Sequence, residues 1–152
     1  MANVNHSTLT DPYLHEPKGA YAAAANKVYV SDGSNSGAWT ALGLVISGTI
    51  EDIGTASTVH VPIPFAGTIS KIVTVLEAAI TGANAIVTVK NSSAASMGTL
   101  TITQASSAAG DVDTLSPSSN NTVTANSFIT VATDGGPNNA IKLRFVVTLD
   151  RS

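Results

Sequence analysis

Three groups of residues in this chain have the types and spacing to do chemistry. The first is Asp32-Gly33-Ser34-Asn35-Ser36, one carboxylate and two hydroxyls at alternate positions after a short β run. Oxygens at that spacing can ring a Mg²⁺ ion, which takes hard oxygen ligands. A metal site of that kind needs a doubly wound α/β frame and further ligands from later loops, and this chain has neither the helical pattern nor the length. The five residues read as a Gly/Asn/Ser turn. The second group is Asp111 and Asp113, with Asp134 farther along. They could gather Ca²⁺ at one end of a β domain, but no Gly-centred loop closes on a Glu. They read as solvated loop acids, and no cofactor or metal is expected.

The third group is the histidines, His6, His15 and His60. A Ser-His-Asp centre needs a nucleophile on a strained turn and an imidazole oriented by a buried carboxylate. No Gly-x-Ser-x-Gly occurs, and serine is too abundant for a Ser-His-Asp set to carry information. Paired carboxylates for glycoside hydrolysis would have to come from the ten Asp and Glu, which fall mostly at turns. The chain is not expected to be an enzyme.

The elements that would have to position such groups are strands. In the last one Ile141, Leu143, Phe145, Val147 and Leu149 alternate with Lys142, Arg144, Val146, Thr148 and Asp150, the period of a half-buried strand. Weaker runs cover 57–65, 85–91, 98–104 and 127–133, with turn clusters between them. Seven or eight short strands at that spacing predict a β-sandwich, jelly-roll-like, over 44–152. Pro62 and Pro64 remove two ladder donors from one side of their strand, so it should be an edge strand or leave the sheet there. In the stretch 69–80, residues 69, 72, 73, 76 and 80 also fit a helical stripe, but β-branched density favours a strand. Ile69, Val73 and Val75 are then assigned to one face and Ile72 and Leu76 to the other. A strand apolar on both faces in a two-layer domain points to a subunit contact, through Ile72, Val73, Val75 and Leu76.

The N-terminal part is different. Residues 27–43 predict a hairpin, Lys27-Val28-Tyr29-Val30 returning as Ala38-Trp39-Thr40-Ala41-Leu42, with Tyr29 packed on Trp39 across the strands. Residues 1–26 hold no periodic apolar face, and Pro12 and Pro17 bias them to extended conformations. This arm concentrates Tyr13, Leu14, His15, Glu16, Pro17 and Lys18. An arm that cannot build a core but carries aromatic, charged and proline residues is suited to contacting a partner. Tyr13 and Leu14 are its expected anchors, with His15 and Glu16 as a polar contact pair.

Bulk composition narrows the partners. The net charge is -3 and the seven Lys and Arg are scattered, so nucleic acid is not expected. No run reaches the roughly 18 apolar residues of a membrane span. The polar start lacks a signal-peptide profile, which predicts synthesis in the cytoplasm without export by that route. Charged residues make up 11% of the chain against roughly 25% in an average soluble domain. Small neutral residues on strands suit surfaces that pack against other protein.

The string Tyr13-Leu14-His15-Glu16-Pro17-Lys18-Gly19-Ala20, followed by Lys27 to Gly33 and Ser36-Gly37-Ala38-Trp39, resembles a segment of tailed-bacteriophage head-fibre or capsid decoration (cement) proteins. Stretches of the later strands, among them Val59 to Gly67 and Ala85 to Lys90, are similar to that group as well. The resemblance implies a non-enzymatic virion protein, a homotrimeric knob on the outer capsid surface of a phage made in the host cytoplasm. Its arm would contact the major capsid protein. A tail-fibre or baseplate component is a second reading within the same class. The third is a module that binds a host-surface glycan through the loop ends of the sandwich.

Overall fold

The computed structural model describes residues 23–31, 33 and 37–152. The chain divides into two units, Met1–Leu42 and Gly43–Ser152. Tyr13 to Lys18 lie outside the described residues, as do His6, Asp32 and Ser34 to Ser36.

In the first unit, β1 (Lys27–Ser31) and β2 (Gly37–Ala41) form an antiparallel pair that sets Tyr29 opposite Trp39. Their rings meet edge to face with centroids 5.4 Å apart, the arrangement favoured by the aromatic quadrupole. A side chain on Gly37 would stand 2.9 Å from Tyr29 Cζ, so the tyrosine ring fits because residue 37 has none. The Leu42 N–H donates to the Asn26 carbonyl at 3.0 Å and ties the open end.

The second unit holds nine strands: β3 (Gly43–Ile50), β4 (Ser57–Ile63), β5 (Gly67–Leu76), β6 (Ala85–Asn91), β7 (Ser96–Ile102), β8 (Val112–Leu115), β9 (Thr122–Val123), β10 (Ser127–Thr133) and β11 (Leu143–Arg151). One sheet runs β4-β10-β6-β7 and the other β3-β11-β5-β8, with β9 pairing the start of β5. All pairs are antiparallel. The chain alternates between the layers except at the β6–β7 hairpin and the β8–β9 step, giving a four-stranded and a five-stranded layer in jelly-roll order. The all-β sandwich expected from sequence is therefore the fold. Its short strands β8 and β9 escaped detection because four and two residues cannot show a period.

The core lies between the layers. Ile50, Ile72, Val87, Ile129, Leu143 and Phe145 are among its fully buried side chains, each stabilising the fold by about 1.5–3 kcal/mol relative to exposure. Buried polar groups are satisfied: the Thr133 hydroxyl donates to the Ile53 carbonyl at 3.1 Å, and no buried side-chain polar atom lacks a partner among the described residues.

Strand β5 corrects the sequence reading. Thr148 pairs with Lys71 while Leu149 pairs with Ile69, leaving Ser70 unpaired as a β-bulge. One extra residue reverses the alternation, so Ile69 joins Ile72 and Leu76 in the core and not Val73 and Val75. The edges follow expectation at β4, where Pro62 stands on a border strand opposite Phe128. Strand β3 is also a border strand, eight residues with no charge and no proline, and among the described residues its ladder runs to β11 alone.

Candidate partner-binding surfaces

Of the four residues expected at a subunit contact, Ile72 and Leu76 are 1% exposed and belong to the chain's own core. They are not available to a second subunit. Val73 and Val75 point the other way, onto the outer face of the β3-β11-β5-β8 sheet. Register then shows what surrounds them. Val146 pairs with Val73 and Ser47, and Val75 pairs with Val112 and Arg144. Val112 is 57% exposed and Val45, on β3, 62%. The face is mostly valine, serine and threonine, with exposed Lys71 in the same row as Thr148 and Val45. Arg144, between Thr49 and Val75 on the same face, donates through Nε to Glu77 at 2.6 Å. Val45, Val112 and Val146 were missed in the sequence because only the topology brings β3, β11, β5 and β8 side by side. The signal that could have found them was valine at outward positions of those strands.

Between the border strands β3 and β4 the sandwich has an apolar groove of about 540 Å³, lined by Leu44, Ile46, Pro62, Ile63 and Pro64 with Asn126 and Ser127. Proline lowers the donor count along one wall, and the open edge of β3 forms the other.

The outer face of the β4-β10-β6-β7 sheet carries His60, with its ring centroid 5.3 Å from that of Phe128. Register places Thr130 between His60 and Lys90, and Thr88 beside Ala132 and Thr99. Phe128 is 39% exposed. Phe65, 41% exposed, has the Arg151 guanidinium 4.0 Å from its ring centre, a cation–π contact.

Asp134 and Asp52 hold loops, whereas Asp113 lies within β8. Asp134 Oδ1 accepts from the Ile86 and Gly136 N–H groups at 3.0 and 3.1 Å. Asp52 accepts from the Gly54 N–H and the Thr55 hydroxyl, each at 2.8 Å. Burial first, and the neighbouring Asp111 carboxylate second, hold the Asp113 carboxyl above its ordinary value of about 3.8. Two acids that repel at the margin of a sheet are a small local cost. Among the described residues no three of His, Cys, Asp and Glu gather as metal ligands would, and no helix is long and apolar enough to cross a membrane.

In the first unit the two faces of the hairpin differ. Tyr29, Trp39 and Lys27 are half-buried on one, while Val28 and Val30 on the other are 39% and 50% exposed beside Ala38 and Thr40.

No family model matches the chain, and no curated protein matches it. Among solved structures it is similar to "Cyanophage Pam1 capsid asymmetric unit" at 14% identity, over 74% of this chain and 87% of that one, with a TM-score of 0.47. This is a likeness of chain path and of nothing finer.

Proposed function

We propose that the chain is a non-enzymatic structural protein of a phage virion, a capsid decoration or head-fibre protein held on the outer capsid surface by its N-terminal unit. The observation that carries this reading is the division of labour along the chain. Gly43–Ser152 closes a complete core of its own, whereas the first unit offers a two-stranded hairpin with bare valines and the contact-rich string Tyr13 to Lys18. The sequence resemblance of that string supports the same assignment, with the major capsid protein as partner. In this reading the chain is a homotrimer joined through the valine face around Val73 and Val75. Three linked arms turn one weak contact into a firm one by raising the effective concentration of the second and third.

The test is co-sedimentation with undecorated capsids. Full-length protein is expected to pellet with the particles and a form lacking residues 1–26 to stay in solution while keeping its folded sandwich. Truncated protein that binds at full stoichiometry would place the contact on the sandwich and overturn the assignment. Imaging labelled protein on intact phage separates shell from tail.

A second reading, a host-surface glycan site, is favoured by the exposed Phe128 ring beside His60 and the neighbouring threonine hydroxyls. Those groups lie on a sheet face rather than at loop ends. Retention of the protein on immobilised host polysaccharide, lost in Phe128→Ala, is the observation it requires.

A further inference from the structure

We infer that the hairpin Lys27–Leu42 is itself a docking element, its Val28/Val30 face seating on the same shell protein as the arm. The inference rests on the capsid-attachment reading and adds a second contact surface to it.

The argument begins with stability. A lone two-stranded hairpin is marginal in water, because neither face has a second layer to bury against. Here one face supplies part of that layer itself: Tyr29 meets Trp39 edge to face and fits where Gly37 has no side chain. The opposite face has no such device. Val28 and Val30 stand there with Ala38 and Thr40, and no formal charge is among them. Edge strands left free in water usually carry lysine or proline to discourage pairing, and β1 and β2 hold no proline and only Lys27, which lies on the Tyr29 side.

Area and chain length then choose the occupant. Five residues per strand give a face on the order of 200 Å², far below the roughly 800 Å² per partner of a stable interface. Two hairpins meeting face to face would not hold each other. As an addition to an existing contact, the same face needs only to contribute. Eight residues separate Lys18 from Lys27, so a bound arm keeps the hairpin within about 30 Å of its own site. The arm's partner is therefore the surface presented to these valines at high effective concentration. An apolar, uncharged depression on the shell matches their chemistry.

The experiment uses the full chain with Val28→Thr and Val30→Thr together, which keep β-branched side chains and replace one methyl at each site by a hydroxyl, and separately Val30→Lys. Trp39 is the only tryptophan, so its emission reports hairpin integrity in each variant without interference. With unchanged emission in the free protein, the double threonine variant is expected to bind undecorated capsids about tenfold or more weakly. Val30→Lys is expected to bind more weakly still, and light scattering to give the wild-type mass. Wild-type affinity in a double threonine variant whose Trp39 emission is unchanged overturns the inference and leaves the attachment reading standing. A fall in oligomer mass overturns it too, giving the face to a second copy. Lost amide protection of residues 1–22 in the free variant does so as well, giving the face to the chain's own arm. If wild-type protein fails to bind capsids at all, both readings fall together.

Discussion

The Phe145 ring occupies the space in which a side chain on Gly48 would stand. The two residues are paired across β3 and β11, and a methyl group on residue 48 would lie 2.7 Å from Phe145 Cε2. On its other side Phe145 is paired with Thr74, which is also buried. The one aromatic ring of the core is thus admitted by a glycine beside it.

Gly48→Ala is therefore expected to destabilise the sandwich by about 1–3 kcal/mol through overpacking. Urea unfolding of the single variant, and of the same change in a Phe145→Leu background, checks the cause. The alanine should cost less where the smaller residue has vacated the space. An equal cost in both backgrounds would show that Phe145 is not the obstacle.

Asn121 fills the gap between β8 and β9 along the edge of β5. Its side-chain amide donates to the Ile69 and Pro117 carbonyls at 3.0 and 3.1 Å, and its own carbonyl accepts from the Ile69 N–H at 2.8 Å. Asn121→Ala removes two donors beside the bulge and should lower stability by about 1–3 kcal/mol. Amide exchange offers a local readout: protection should fall first around Ile69, and uniform loss across both sheets would contradict this role.

Asp113 sets a pH dependence with a definite sign. Its folded pKa is raised, so the native state binds the proton more tightly than the unfolded chain does. The associated stability is present below the ordinary value of about 3.8 and is lost as pH rises through the folded value. Asp113→Asn should therefore gain stability over wild type as pH climbs through that window and keep the gain at neutral pH. Melting curves from pH 3 to pH 7, on the order of those reference values, test it; a gain that shrinks with rising pH would reverse the sign.

The two sides of β5 should separate in mutagenesis. Ile72→Ala opens a cavity in the core and is expected to cost about 2–5 kcal/mol in unfolding free energy. Val73→Lys puts a charge on the outer valine face. Under the trimer reading it should dissociate the oligomer while leaving the monomer folded, as seen by light scattering and far-UV circular dichroism. A trimer that survives Val73→Lys and Val75→Lys together would move the subunit contact elsewhere.

What the sequence revealed and what it hid follow from side-chain period. Strands β6 and β10 were predicted at 85–91 and 127–133, the bounds they have, because alternation there is unbroken. The hairpin was legible from its turn residues and the Tyr29–Trp39 pair. β5 was misread because a bulge at Ser70 cannot be seen in a hydropathy pattern; it only makes residues 69 and 72 look as if they belong to opposite faces. The valine face was half legible. Val73 and Val75 sit within one strand, but Val45, Val112 and Val146 come from three others, and only the jelly-roll order makes them neighbours. The arm residues Tyr13 to Lys18 stand out by composition, a signal independent of strand register.

The border strand β3, paired among the described residues with β11 alone, also bears on the behaviour of free copies in solution. Eight consecutive residues without charge or proline, Gly43–Ile50, expose a row of backbone donors and acceptors, and such a row templates further strands. Time spent free in solution is then a hazard that grows with concentration. The shelf life of the protein in solution is expected to be set by how dilute it is kept rather than by how tightly its core is packed.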